Sequence, residues 1–166
     1  MSYVIATSRS WNEALASDLA EKTGEPFHLI TKVEDLTVER LELLNPRYVF
    51  FPHWSQVIPK TIHQKFECVV FHITDLPYGR GGSPLQNLIL NGHDNTVISA
   101  LRCIEELDAG PIYIKSPLNL AGSAADIFAR ASAIIGEMII DIIEFEPNPK
   151  PQQGSPVIFR RRSPDD

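Results

Sequence analysis

The sequence predicts an α/β fold, with one mostly parallel sheet covered by helices on both faces. Three observations lead there. Residues 4–6, 27–30, 48–51 and 68–73 are short apolar runs, several of them rich in branched and aromatic side chains. Between them lie segments whose apolar residues recur at helical spacing. The runs at 48–51 and 68–73 are apolar at nearly every position, which a strand requires only when both its faces are buried.

The elements follow in order. After the first strand, Ser10 and Glu13 have the spacing of a capping box and open a helix in which Trp11, Leu15 and Leu19 face the sheet. Gly24 closes that helix, and residues 27–30 form the second strand. Leu36, Arg40, Leu41 and Leu44 lie on a second helix, which ends before Pro46. Residues 48–51 are the third strand; Pro59 suits the first turn of a short helix reaching about Phe66; and residues 68–73 are the fourth strand. Ser83 and Pro84 have the character of an N-cap and a first helical position for a helix ending near Asn91 and Gly92. Strands over 95–103 and 111–115 come next. Ser123 then caps a long helix to about Phe145, whose buried stripe is Ile127, Ala131, Ile134, Ile135, Met138 and Ile142. Residues 147–166 read as an irregular tail with a last short strand at 157–159, so residues 1–166 are expected to form one domain.

Composition narrows the partners. A chain of 166 residues, 43% hydrophobic and 22% charged, can bury the core of one globular domain. A net charge of −6 disfavours nucleic acid as a partner, because phosphate-backbone binding needs many Lys and Arg contacts. Arg160, Arg161 and Arg162, with Asp165 and Asp166 beyond them, read as a solvated tail. No run of 18 or more apolar residues and no signal pattern occurs, so a cytoplasmic protein without membrane contact is expected. Cys68 and Cys103 are too few for a disulfide framework or a four-cysteine metal site, and no metal is expected. A homodimer is left open.

The chemistry-bearing residues gather at predicted strand ends, where ligands bind in sheets of this kind. His72 ends the fourth strand and His53 follows the third. His72 alone reads equally as a core histidine, and Asp108, ahead of Ala109 and Gly110, as a turn aspartate. The glycine-rich segment from Gly79 to Ser83 reads either as an anion-receiving turn, with Arg80 adding a bidentate contact, or as a tight connection needing positive φ. It lacks the GxxxxGK[ST] spacing of a phosphate-binding loop, which disfavours nucleotide hydrolysis.

Together, His72-Ile73-Thr74-Asp75-Leu76-Pro77 with Arg80-Gly81, and Glu106-Leu107-Asp108-Ala109-Gly110-Pro111, resemble the signature motifs of the folate-dependent formyltransferases. The resemblance runs from about Arg47 to Asp166 and implies a Rossmann-like fold shortened in its N-terminal half. It implies N10-formyltetrahydrofolate as formyl donor and a primary amine as acceptor, with His72 and Asp108 as the catalytic pair. Folate contacts are implied for Val57, Ile58, Pro59, Cys103, Glu105 and Leu107. Acceptor contacts are expected from Ser8, Arg9 and Ser10, at the first strand-helix turn, and from Arg80 and Gly81. The resemblance also marks three departures. Val70 stands where the family carries an amide-bearing asparagine, Leu101 where it has a second histidine, and Asp75 where it has a leucine. His53, Ser55 and Thr74 are then candidates to supply the hydrogen-bond donor that Val70 lacks. The preferred acceptor is a nucleotide-linked amino sugar. Methionyl-tRNA, formyl transfer to water, and a catalytically weakened folate-binding protein are the alternatives.

Overall fold

The computed structural model describes residues 1–164. Its centre is a six-stranded sheet in the order β2-β1-β3-β4-β6-β7. Strands β1 (Ser2–Ala6), β2 (Phe27–Ile30), β3 (Pro46–Pro52) and β4 (Cys68–His72) run parallel. β6 (Asn95–Arg102) and β7 (Ile112–Asn119) extend the sheet antiparallel. β6 and β7 pair antiparallel because the short loop that joins them cannot make a parallel crossover. A separate two-stranded ribbon pairs β5 (Tyr78–Gly81) with β8 (Val157–Phe159).

The strand period of two divides the core between the faces of the sheet. Tyr3, Ile5, Tyr48, Phe50, Val69 and Phe71 pack on one side with α1 (Ala14–Thr23) and the long α5 (Ala124–Phe145). Val4, Ala6, Val49, Phe51 and Cys68 pack on the other with Leu41 of α2 (Val38–Leu44) and Ile62 of α3 (Lys60–His63). Continuous apolar strands are therefore fully used. α5 carries the expected capping box, Ser123 with Asp126, and its stripe is buried apart from Ile134, which is half-buried. α4 (Pro84–Leu90) closes the edge near β5. No helix among the described residues is long and apolar enough to cross a membrane.

Several local expectations need correction. Ser10 does not cap a helix: residues 10–12 form a 3-10 turn without a side-chain cap, and α1 begins at Ala14. Buried Asn12 explains the change, because its Nδ2 donates to the Pro52 carbonyl at 3.1 Å and draws this turn onto the end of β3. Trp11 consequently leaves the sheet face and stacks on Phe128 with ring centroids 4.9 Å apart. Leu36 precedes α2 rather than belonging to it. α3 is shorter than the predicted segment, with Pro59 as its N-cap. Ser83 is the N-cap residue of α4, but at φ 50 its hydroxyl accepts from the Arg162 N–H at 3.0 Å instead of capping the helix. β7 runs beyond Lys115 through Pro117, which an edge strand tolerates. The tail is held in place by β8, by the Ile112–Lys150 bridge and by Arg162 Nε on Asn87 Oδ1 at 2.8 Å. Asp165 and Asp166 lie outside the described residues.

Candidate active site

Parallel β1, β3 and β4 deliver three chain turns to the same sheet edge: residues 7–10, 53–59 and 73–83. His72, the last residue of β4, lies on the same strand face as Val70 and Cys68 by the two-residue period. Its ring is largely buried. Nε2 lies 2.8 Å from the Gly79 carbonyl oxygen; a carbonyl can only accept, so Nε2 carries the proton and donates. Nδ1 is left facing Asp108, 3.7 Å from Oδ1.

Asp108 is held by its own loop. It adopts a left-handed φ of 54°, a conformation that aspartate tolerates better than most residues. Its Oδ2 accepts from the Gly81 N–H at 2.9 Å, and its backbone carbonyl accepts from Gln152 Nε2 at 2.8 Å. Gln152 Nε2 also donates to the Gly110 carbonyl at 2.9 Å, while Gln152 Oε1 accepts from Arg80 Nε and Nη2 at 3.2 and 2.9 Å. Glycine at 110 allows this close packing, since a Cβ there would overlap the Arg102 carbonyl oxygen.

The remaining predicted residues divide. Thr74 is fully buried and its hydroxyl donates to the Gly79 carbonyl at 3.2 Å, so it supports the loop from within and is withdrawn as a donor to a ligand. Arg80 and Gly81 turn inward onto Gln152 and Asp108, and Gly79 and Gly81 take positive φ, so the segment is the tight connection rather than an open anion-binding turn. Ser8, Arg9 and Ser10 are exposed, and Ser8 joins the second turn by accepting from Ser55 N and Ser55 Oγ at 3.0 and 3.1 Å. Arg9 lies over Trp11 at 5.7 Å. Asp75 pairs with Lys115 at 2.6 Å.

His53 sits at the crossing of these turns, at a left-handed φ of 60°, with its ring edge-on to Trp11 and Phe128. Burial, then the Arg9 charge and the neighbouring His72 ring, lower its pKa to about 4. His53 is therefore neutral near pH 7 and keeps one N–H to donate. Its folded pKa lies below the ordinary 6.5, so the unfolded chain binds the extra proton first as pH falls. Stability from this site is full above about pH 6.5 and is lost toward pH 4, by up to about 3 kcal/mol at ~1.4 kcal/mol per unit. Urea titrations across that window should show a steeper loss for the wild type than for His53→Asn, which keeps the backbone conformation. Parallel curves would contradict this.

The expected folate contacts form an apolar margin. Ile58, Val70, Cys103 and Trp54 pack partly buried on the α2 and α3 side of the sheet, whereas Val57 and Leu107 are 89% and 72% exposed. Pro59 leads into α3, whose Lys60 reaches Glu105 at 3.6 Å and joins the two loops. Trp54 Nε1 is buried and has no hydrogen-bond partner among the described residues. Burial and the Asp108 charge push the Cys103 thiol up to about 11, so it remains protonated at neutral pH. Among the described residues, no group of three or more His, Cys, Asp and Glu could hold a metal ion. A groove of about 840 Å³, lined by residues such as Met1, Arg47, Lys65 and Glu67, lies at the opposite edge of the sheet. Its charges pair among themselves, Arg47 with Glu67 and Lys65 with Glu42.

Sequence reasoning missed Gln152. Its only signal was a polar side chain within a proline-rich stretch.

Fold and site first define a class: a doubly wound α/β domain with an imidazole and a carboxylate facing each other beyond its central strands. The chain belongs to the formyl transferase family, whose model matches residues 7–125. It is 29% identical over 129 residues to a methionyl-tRNA formyltransferase of Thermodesulfovibrio yellowstonii, a match covering 73% of this chain and 42% of that relative. The chain thus spans less than half the length of such relatives. Among solved structures, methionyl-tRNA formyltransferase from Clostridium thermocellum matches with TM-score 0.96 and 46% identity, over 99% of this chain and 74% of that one. The formyltransferase PseJ from Anoxybacillus kamchatkensis, solved with UDP-4,6-dideoxy-4-formamido-L-AltNAc and tetrahydrofolate, shares the fold at TM-score 0.72 and 15% identity, covering 96% and 85% of the two chains.

Proposed function

We propose that this protein transfers a formyl group from N10-formyltetrahydrofolate to a primary amine, with a nucleotide-linked amino sugar as the acceptor. The observation that carries the reading is the His72–Asp108 pair, held 3.7 Å apart at the carboxyl end of β4. The donor fits the residues present. Ile58, Val57, Leu107 and Cys103 offer an apolar margin for a flat ring, and Trp54 Nε1 is a buried donor without a partner among the described residues. When bound, the folate supplies an electrophilic formyl carbon.

The chain's own residues supply proton handling and charge stabilisation. Since Nε2 is committed to Gly79, Nδ1 of His72 is the nitrogen that takes the proton from the amine as it bonds to the formyl carbon. It would return that proton to N10 of a bound donor as the carbon–N10 bond breaks and tetrahydrofolate leaves. Asp108 stabilises the imidazolium so formed across the 3.7 Å gap. Negative charge on the formyl oxygen needs a donor that Val70 cannot provide. Neutral His53, which follows β3 where Pro52 pairs with Phe71 at the end of β4, is assigned that role. His53→Ala is expected to lower kcat about 100-fold, the usual scale for one lost oxyanion donor. Unchanged turnover would remove His53 from the mechanism.

The acidic balance of the chain, −6, favours a small acceptor over tRNA. A tRNA acceptor is supported by the 46% identical Clostridium thermocellum protein, through its name. Turnover with nucleotide-linked amino sugars and with charged initiator tRNA, at equal formyl-donor concentration, separates them. Formylation of the tRNA alone would overturn the sugar reading.

A further inference from the structure

We infer that Gln152 is a positioning residue for the catalytic aspartate, holding the Asp108 loop in its left-handed conformation and thereby aiming the carboxylate at His72. The inference rests on the formyl-transfer reading for its kinetic consequence, though not for its geometry.

Gln152 uses its whole side-chain amide. Both N–H groups serve the aspartate loop, at the Asp108 and Gly110 carbonyls, and the oxygen is held by two N–H groups of Arg80. Arg80 belongs to β5, and the next residue, Gly81, donates its N–H to Asp108 Oδ2. A closed circuit results: β5 grips the carboxylate directly through Gly81 and grips the Asp108 backbone indirectly through Arg80 and Gln152. A left-handed φ on a non-glycine residue costs about 1–3 kcal/mol and persists only where its surroundings impose it. The two carbonyl contacts on either side of Ala109 impose it here. Without them the loop is free to relax, and a displacement of about 1 Å at a catalytic group is enough to cost roughly 100-fold in rate. The hydrogen bonds of Gln152 go to the Asp108 and Gly110 carbonyls and to Arg80, while Asp108 Oδ1 is the atom beside His72, so Gln152 acts through another residue. The Lys150–Ile112 bridge, two residues away, fixes the segment that carries it.

Two variants test this. Gln152→Met keeps length and removes all four hydrogen bonds. Gln152→Glu keeps acceptors for Arg80 but loses both donors to the loop. The readouts are kcat and KM for the formyl donor, together with the Gly81 amide in ¹H–¹⁵N NMR spectra, which reports the Asp108 carboxylate without requiring turnover. The expectation for both variants is a fall of up to about 100-fold in kcat, the scale of a catalytic group displaced by about 1 Å, with little change in KM. The Gly81 resonance should move toward its position in Asp108→Ala. A Gly81 amide and kcat unchanged in Gln152→Met would overturn the inference. So would wild-type behaviour in Gln152→Glu, which would show that the contacts to the two carbonyls are dispensable. If the wild type turns over no formyl donor, the activity reading fails and the Gly81 amide alone decides the role of Gln152.

Discussion

Replacing His72 with alanine is expected to lower kcat for formyl transfer by about three orders of magnitude, within the usual range for loss of a positioned general base. The reason lies in the division of labour on the ring. Nε2 donates to Gly79 and Nδ1 faces Asp108, so the variant loses the proposed acceptor of the amine proton. The cost in stability should be small by comparison, about 1 kcal/mol for one lost hydrogen bond. Asp108→Asn is the sharper companion, because asparagine tolerates the left-handed φ of 54° and still accepts from Gly81. It removes charge alone, and kcat should fall at least 100-fold while the fold stays intact. Rapid-quench assays with both variants check this. Retention of more than a tenth of wild-type kcat in either would take that residue out of the proposed roles.

Gly110→Ala should be the most disruptive single change outside the apolar core. The added Cβ would overlap the Arg102 carbonyl oxygen, and neither backbone can give way easily. Arg102 is the last residue of β6, and its N–H donates to the Pro111 carbonyl at 2.9 Å. The strain therefore falls on the loop that carries Asp108. A loss of about 3 kcal/mol or more is expected, the scale of backbone clashes and overpacking at a site that cannot collapse. A large drop in the urea midpoint, with kcat lost even in the fraction that remains folded, would bear this out. A variant within about 0.5 kcal/mol of the wild type, the shift usual for harmless surface changes, would show that the loop moves freely.

The parts of this molecule legible in the sequence are those whose signal is local. The apolar runs of β3 and β4 needed burial on both faces, and the structure supplies it. Ser123 with Asp126 caps α5 because the chain there is exposed and nothing competes for the serine. Ser10 and Glu13 have the same spacing, yet the tertiary pull of Asn12 on Pro52 overrides the cap. β5 was hidden because Tyr78–Gly81 has neither alternation nor branched residues; it is a strand only because β8 lies alongside. For the same reason Arg80 read as an anion contact, when its partner is a glutamine far along the chain. His72 and Asp108 were visible as a pair through their motifs. The circuit that aims one at the other spans three distant segments, and no local pattern encodes it.

The most direct measurement of the central claim follows tetrahydrofolate release from N10-formyltetrahydrofolate by the wild-type protein, with and without nucleotide-linked amino sugars, alongside Asp108→Asn. The account predicts release that depends on the amine, yields the formylated sugar and disappears in the variant. Folate binding with no amine-dependent release, or release equal in wild type and Asp108→Asn, would contradict it.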